Sequence, residues 1–231
     1  MNGTIVPDVV YLLDVDNTLL DNDAIADDLR RHLRDAFGDD CERQYWEHFE
    51  ALRRELGYAD YLGALQRYRR DHPRDPQLLR ASLFLLHYPF ADRLYPRALE
   101  VVAELRRRAP VVILSDGDVV FQPWKVERSG LWDAFGGSVL IYIHKDQMLD
   151  DVERRYPAKR YVMIDDKLRI LDAIKQVWRE RVTTVFVRQG HYAHDPAIAG
   201  SYPAADVTIE RIADLTAALM SSAAALSRAS G

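Results

Sequence analysis

The sequence predicts an α/β fold, a parallel sheet interrupted after its first strand by a helical domain. Two observations carry this. Short runs rich in β-branched and aromatic residues, Val9 to Leu13, Val111 to Leu114, Val139 to Ile143, Tyr161 to Ile164 and Thr183 to Val187, alternate with helical stretches, the pattern of strands joined by right-handed helical crossovers. Between the first and second runs, from about Ala24 to about Leu94, no β-run occurs; apolar residues there recur three or four apart.

Taken in order, Val9 to Leu13 is too short for a typical helix and has the composition of a buried strand. Asp14-Val-Asp16-Asn-Thr18 follows at its end. Extended backbone sends alternate side chains to one side, so Asp14, Asp16 and Thr18 are expected to share a face, where the two carboxylates repel unless a cation or proton separates them. Alone, the stretch also fits an acidic loop capping a helix, since Asp, Asn and Thr are ordinary turn and N-cap residues. The helical segment then shows Trp46, Phe49, Leu52 and Leu56, and Tyr61, Leu65 and Tyr68, at helical spacing. Gly38, Gly57 and the segment 72–76 punctuate it. This aromatic stripe reads as the packed inner face of a small bundle.

Tyr95-Pro96 opens a helix through Leu99, Val102 and Leu105 to Arg108, with Pro96 in its first turn. Val111 to Leu114 ends at Ser115-Asp116-Gly117-Asp118; Val139 to Ile143 ends at His144-Lys145; Tyr161 to Ile164 ends at Asp165-Asp166-Lys167. Helices are predicted at Phe121 to Ser129, Gln147 to Arg155 and Leu168 to Glu180. Ala205 to Ile209 reads as a short edge strand, Arg211 to Met220 as a closing helix, and 221–231 as a flexible tail.

Length and composition set the limits. A chain of 231 residues fits one large α/β domain or a core carrying a smaller one. The net charge of -5, with arginines interspersed among acids, argues against a general nucleic-acid binder. Cys41 is the only cysteine, which excludes an intramolecular disulfide or a cysteine-based zinc cluster and suits a reducing compartment. No run approaches the roughly 18 apolar residues that span a bilayer. A cytoplasmic protein with no nucleic-acid or membrane partner is expected.

Parallel α/β sheets bind ligands beyond the carboxyl ends of their strands. Asp14, Asp16, Ser115, Lys145, Asp165 and Asp166 all fall there. Clustered carboxylates offer the hard oxygen ligands that Mg²⁺ accepts, and a lysine with a hydroxyl donor suits an anionic group, so the set suggests phosphate bridged by Mg²⁺. Lys125 competes with Lys145 for the lysine role; Lys145 is preferred because it ends a strand, whereas Lys125 lies within a helix. Lys167 and Asp172 read as surface or helix-terminal residues.

The ordered set, Asp14-Val-Asp16-Asn-Thr18, Ser115, Lys145 and Asp165-Asp166, resembles the four motifs of the haloacid dehalogenase-like hydrolase superfamily, from Val9 to about Leu219. The resemblance implies a Rossmann-like parallel-sheet core, residues 1–21 and 95–231, with an inserted α-helical cap of the C1 type at 22–94. It further implies a phosphatase-type member in which Asp14 is the nucleophile and Asp16 the acid and base, its side chain pointing away from the metal and able to retain its proton at first. Ser115, with the backbone N–H of Asp116, would hold phosphoryl oxygens, and Thr18 would brace the loop. Mg²⁺ would sit on Asp14, the Asp16 carbonyl and Asp166. Asp165 stands where many members have glycine; it is open whether it ligates directly, through water, or as a hydrogen-bond partner.

Asp16 favours phosphoryl transfer over dehalogenation, because the dehalogenases usually lack an acid there. Phosphonatase chemistry needs a cap lysine, and no lysine precedes Lys125. The expected substrate is a small phosphorylated metabolite. A phosphomutase, or a non-catalytic binding or regulatory protein on the same fold, remain the alternatives. Arg43, Tyr45, His48, His72 and His87 are cap side chains that could hold a substrate, although a solvated helix face is the commoner role for such residues.

Overall fold

Strands that read as continuous apolar runs must be covered on both faces, and the computed structural model, which describes residues 6–74, 78–196 and 200–221, shows how. The strands β1 (Val9–Leu13), β2 (Val111–Asp116), β3 (Val139–Tyr142), β4 (Arg160–Asp165), β5 (Val182–Val187) and β6 (Val207–Ile209) form one parallel sheet of order β3-β2-β1-β4-β5-β6. β1 lies inside the sheet between β2 and β4, which brings the polar ends of the three runs side by side.

Alternate residues of each strand feed two cores. Leu13, Val111, Ile113, Val162, Ile164, Val185 and Val187 pack on one face, against Val101, Val102 and Leu105 of α5 (Ala98–Arg106) and Phe121 and Val126 of α6 (Phe121–Arg128). Val10, Leu12, Val112, Leu114, Tyr161, Met163 and Phe186 pack on the other. There they meet Leu149 and Val152 of α8 (Leu149–Arg155) and Ile170, Leu171, Ile174 and Trp178 of α9 (Leu168–Trp178). A short α7 (Leu131–Ala134) precedes β3, and α10 (Gly190–His194) follows β5.

Between β1 and β2 the chain forms α1 (Asn22–Phe37), α2 (Asp39–Leu56), α3 (Tyr61–Asp71) and α4 (Leu78–Leu86). Asp21 caps α1 by accepting from the Ala24 N–H (2.9 Å), and Asp60 caps α3 by accepting from the Gly63 N–H (2.6 Å). Gly38 and Gly57 separate the helices with positive φ. Trp46, Phe49, Tyr61 and Tyr68 are buried, as the stripe predicts, and so is Tyr45, but their core is not separate from that of the sheet. Tyr61 and Phe90 both meet Phe121 of α6, with ring centroids 5.6 and 5.8 Å apart. The outgoing and returning chains run side by side: the Asp21 N–H donates to the Arg93 carbonyl (2.8 Å) and the Tyr95 N–H to the Leu19 carbonyl (2.9 Å). Arg93 and Tyr88 both bond Asp28 and tighten this root.

Several boundaries differ from the sequence reading, among them those of three helices. The helix expected to open at Pro96 begins at Ala98, because Arg97 sits in the left-handed region (φ 66°) and stops helical geometry from reaching the proline. The helix expected to reach Glu180 ends at Trp178, where Arg179 also has positive φ (49°) and starts a 3₁₀ turn. The closing helix begins with a 3₁₀ turn, Ile212–Asp214, and continues over residues 215–221. Of the expected tail, 221–231, Ser221 instead closes this helix, and the remainder lies outside the described residues. No helix among the described residues is long and apolar enough to cross a membrane.

Candidate active site

The loop after β1 does not continue the strand. The Val15 carbonyl accepts from the N–H groups of Leu19 (2.9 Å) and Leu20 (3.0 Å), and Asn17 takes a left-handed conformation (φ 59°), one that Asn tolerates better than most residues. Its side-chain oxygen accepts from the N–H groups of Asn22 and Asp23 (3.0 and 3.2 Å), tying the loop to the root of the helical insert. Gln189 supports the loop from beneath, donating to the Thr18 carbonyl (3.2 Å) while its own oxygen accepts from the Ile212 N–H (2.6 Å). At Gly190 an added Cβ would lie 2.5 Å from the Cβ of Asn17, so the close approach admits only glycine.

This turn corrects the expectation, drawn from strand alternation, that the Asp14 and Asp16 side chains share one face. Each carboxylate has its own lysine. Lys145, fully buried, places Nζ 2.6 Å from Asp14 Oδ1 and 2.7 Å from Asp165 Oδ2, and also donates to the Leu114 carbonyl (3.2 Å). Burial alone would lower the Lys145 pKa, but the Asp14, Asp165 and Asp116 carboxylates outweigh it and raise it above the ordinary lysine value. Asp116 accepts from the Lys145 N–H (2.7 Å), which orders the segment after β3. Thr18 Oγ1 donates to Asp14 Oδ2 at 3.4 Å.

Asp165 and Asp166 are both inaccessible to solvent but differ in their partners. Asp165 is engaged by Lys145 and accepts from the Lys167 N–H (2.8 Å), whereas neither oxygen of Asp166 has a hydrogen-bond partner. Burial is the main cause raising both their pKa values, and Asp14 adds repulsion to each. Carboxyl oxygens of Asp14, Asp165 and Asp166 lie within 4.8 Å of one another. A buried carboxylate with both oxygens unpaired is costly unless something else satisfies it. Asp14, Asp165 and Asp166 together could offer oxygen ligands to a hard cation; Asp166 has both oxygens unengaged, whereas Asp14 and Asp165 each share one oxygen with Lys145.

Asp16 faces α6. Lys125, 1% exposed, sets Nζ 2.6 and 2.7 Å from the two Asp16 oxygens and 3.1 Å from Asn22 Oδ1. Gln122, one helical turn earlier, donates to Ser115 Oγ (3.0 Å) and lies 3.5 Å from Asp16 Oδ2. Ser115 Oγ in turn donates to the Asp116 carbonyl (3.3 Å). The helix starts here because Asp118 accepts from the N–H groups of Val120 (2.8 Å) and Phe121 (2.6 Å). The sequence reading set Lys125 aside and did not consider Gln122. Their signal was a three-residue spacing on a helix directly after the Ser115 strand.

A cleft of about 770 Å³ opens between insert and sheet edge, with Asp16, Asp116 and Gln122 on the sheet side and Trp46, Phe49, Arg53, Tyr58 and Tyr61 on the insert side. Lys167, read as a helix-terminal residue, does precede α9 but also lines this cleft, as do His191 and Tyr192 of α10. His191 holds Asp23 at the root of the insert, through Nδ1 and its backbone N–H at 2.7 Å each. Arg43, Tyr45, His48, His72 and His87 do not line the cleft; Tyr45 donates to the Tyr61 carbonyl, His48 pairs with Asp71, and His72 bonds Gln44.

Residues 10–177 match the family model of the haloacid dehalogenase-like hydrolases. A crystal structure of a candidate haloacid dehalogenase-like hydrolase from Burkholderia xenovorans is 62% identical, with a TM-score of 0.87 over 90% of this chain and 95% of that one. A hydrolase of the same family from Xanthomonas campestris superposes at 0.67 with 18% identity, covering 99% and 96% of the two chains. The L-2-haloacid dehalogenase of Xanthobacter autotrophicus superposes at 0.60 with 18% identity, covering 89% and 96%. At that identity the last two show likeness of fold alone. No curated protein matches the chain.

Proposed function

The chain belongs to the haloacid dehalogenase-like hydrolases, and within that family we propose that it is a Mg²⁺-dependent phosphatase acting on a small phosphorylated metabolite. The observation that carries this reading is Asp16. Two residues beyond Asp14, it lines the cleft with a carboxylate held apart from the Asp14 cluster by its own lysine. Carbon–halogen cleavage gives a halide that needs no proton, whereas an alkoxide leaving a phosphoryl group does need one.

In the proposed reaction an Asp14 oxygen attacks phosphorus. The bond from phosphorus to the ester oxygen breaks, that oxygen takes the proton that Asp16 carries as a carboxylic acid at the start of the cycle, and the alcohol departs, leaving an aspartyl phosphate on Asp14. Asp16 then accepts a proton from water as the water oxygen attacks phosphorus. The bond from phosphorus to Asp14 breaks, inorganic phosphate leaves, and Asp14 is restored as carboxylate. Lys145 keeps Asp14 oriented and offsets its charge as the dianionic substrate approaches. Ser115 Oγ, now donating only to a carbonyl, is free to turn its proton to a phosphoryl oxygen while Gln122 holds it. Mg²⁺ held by Asp14, Asp166 and the Asp16 carbonyl would neutralise charge on the transferring group.

A panel of phosphate monoesters assayed for phosphate release with and without Mg²⁺ tests the reading. Native protein should release phosphate only with the metal and Asp14→Asn should be inactive. Near-native turnover by Asp14→Asn would remove Asp14 from the role of nucleophile.

A further inference from the structure

Helix α6 carries two buried polar side chains beside the site, and the reaction above gives Lys125 no step. A lysine with its charged end withdrawn from water is costly unless it is paired and hydrogen-bonded. Lys125 donates to Asp16 Oδ2 and Asn22 Oδ1 and makes an ion-pair contact with Asp16 Oδ1 at 2.6 Å. Asn22 is the first residue of α1 and donates in turn to the Tyr61 hydroxyl of α3 (3.1 Å). The lysine therefore joins the sheet-side helix, the carboxylate over the cleft and the root of the insert.

We propose that Lys125, assisted by Gln122, is the positioning residue for Asp16. It fixes the carboxylate over the cleft, where the leaving oxygen is protonated, and keeps it from turning to the cation site of Asp14 and Asp166. The inference rests on the phosphatase reading. Gln122 extends the device, since one amide group donates to Ser115 and lies beside Asp16, setting the phosphate-gripping hydroxyl and the acid from a single helix face. Gly117 shows how tightly that face is seated: an added Cβ there would meet Gln122 Cβ at 2.6 Å.

A residue that acts by placing the acid matters in proportion to the leaving group's need for a proton. Lys125→Met should lower kcat on an alkyl phosphate by about 100-fold, the loss expected of a misplacement near 1 Å, with little change in KM. On p-nitrophenyl phosphate, whose leaving group departs unprotonated, kcat should stay within a few-fold of native. Lys125→Arg should recover part of the alkyl phosphate rate, and Gln122→Leu should show the same selectivity more weakly. In an Asp16→Asn background Lys125→Met should cost nothing further. Thermal melts of each variant separate folding from positioning; should Lys125→Met not fold, Lys125→Arg and Gln122→Leu supply the same substrate ratio. Equal losses on both substrates by folded variants, or an added loss in the Asp16→Asn background, overturn the inference and leave the phosphatase reading intact. Failure of native protein to release phosphate from either substrate overturns that reading, and the inference with it.

Discussion

Replacing Lys145 by methionine keeps much of the side-chain length and removes the charge at the most crowded acidic point of the fold. Nζ lies 2.6 Å from Asp14, 2.7 Å from Asp165 and 3.2 Å from the Leu114 carbonyl, with no solvent access. Removing one partner of a buried ion pair costs about 3–5 kcal/mol, because the other charge stays buried. For a chain of this size each kcal/mol moves Tm by about 2–4 °C, so a fall of about 6–20 °C is expected near pH 8 with metal chelated. Acid should reduce the deficit. Burial already raises the Asp165 and Asp166 pKa values in the native protein, so the folded state takes up protons at higher pH than the unfolded chain, whose carboxyls titrate near about 4. Stability is then lost as pH rises through the raised folded values and regained as pH falls back towards the unfolded one. Melts followed by circular dichroism in EDTA at about pH 5 and about pH 8 measure both effects. A Lys145→Met protein that melts within about 2 °C of native at the higher pH would refute this electrostatic account of the site.

Three further outcomes follow from the same geometry. Mg²⁺ should raise the native Tm in a saturable manner, by up to about 2.7 kcal/mol of stability at a hundred times its dissociation constant. Asp166→Asn should abolish that rise, and an unchanged Mg²⁺ response in a calorimetric scan would remove Asp166 from the ligand set. Gly190→Ala should destabilise by at least about 1 kcal/mol, since its φ of +71° is strained for alanine and the new Cβ would meet Asn17 at 2.5 Å. The displaced loop should also lower kcat, and a variant with native melting and kinetics would show that the contact is dispensable. Native protein incubated with 2-chloropropionate should release no chloride; Asp14-dependent chloride release would favour dehalogenation instead.

The parts of this molecule that the sequence makes legible are those where an apolar strand stops. Asp14, Ser115, Lys145, Asp165 and Asp166 each follow such a run, and a parallel sheet places run ends along one edge, so their convergence could be read without coordinates. Asp16 was legible as a residue, and the family resemblance implied a side chain turned away from the metal, but its own lysine was not legible, because the left-handed Asn17 turns the chain out of the strand geometry that alternation assumes. Lys125 was hidden for a related reason. A lysine within a helix is nearly always solvated, and only the packing of α6 beneath the Asp16 loop shows that this one is not. The cleft-facing side chains of the insert, Arg53 and Tyr58 among them, depend on how the helices sit over the sheet, so residue type alone could only name Arg43, His48 and His72 as candidates while favouring a solvated face for each.

Trapping the covalent intermediate tests the central claim most directly. Native protein quenched in acid during turnover of a phosphate monoester with Mg²⁺, then digested and analysed by mass spectrometry, should carry one phosphoryl group on the peptide containing Asp14. Neither Asp14→Asn nor metal-free protein should carry it. Sustained phosphate release with the adduct on another residue would contradict the assignment of Asp14 as nucleophile.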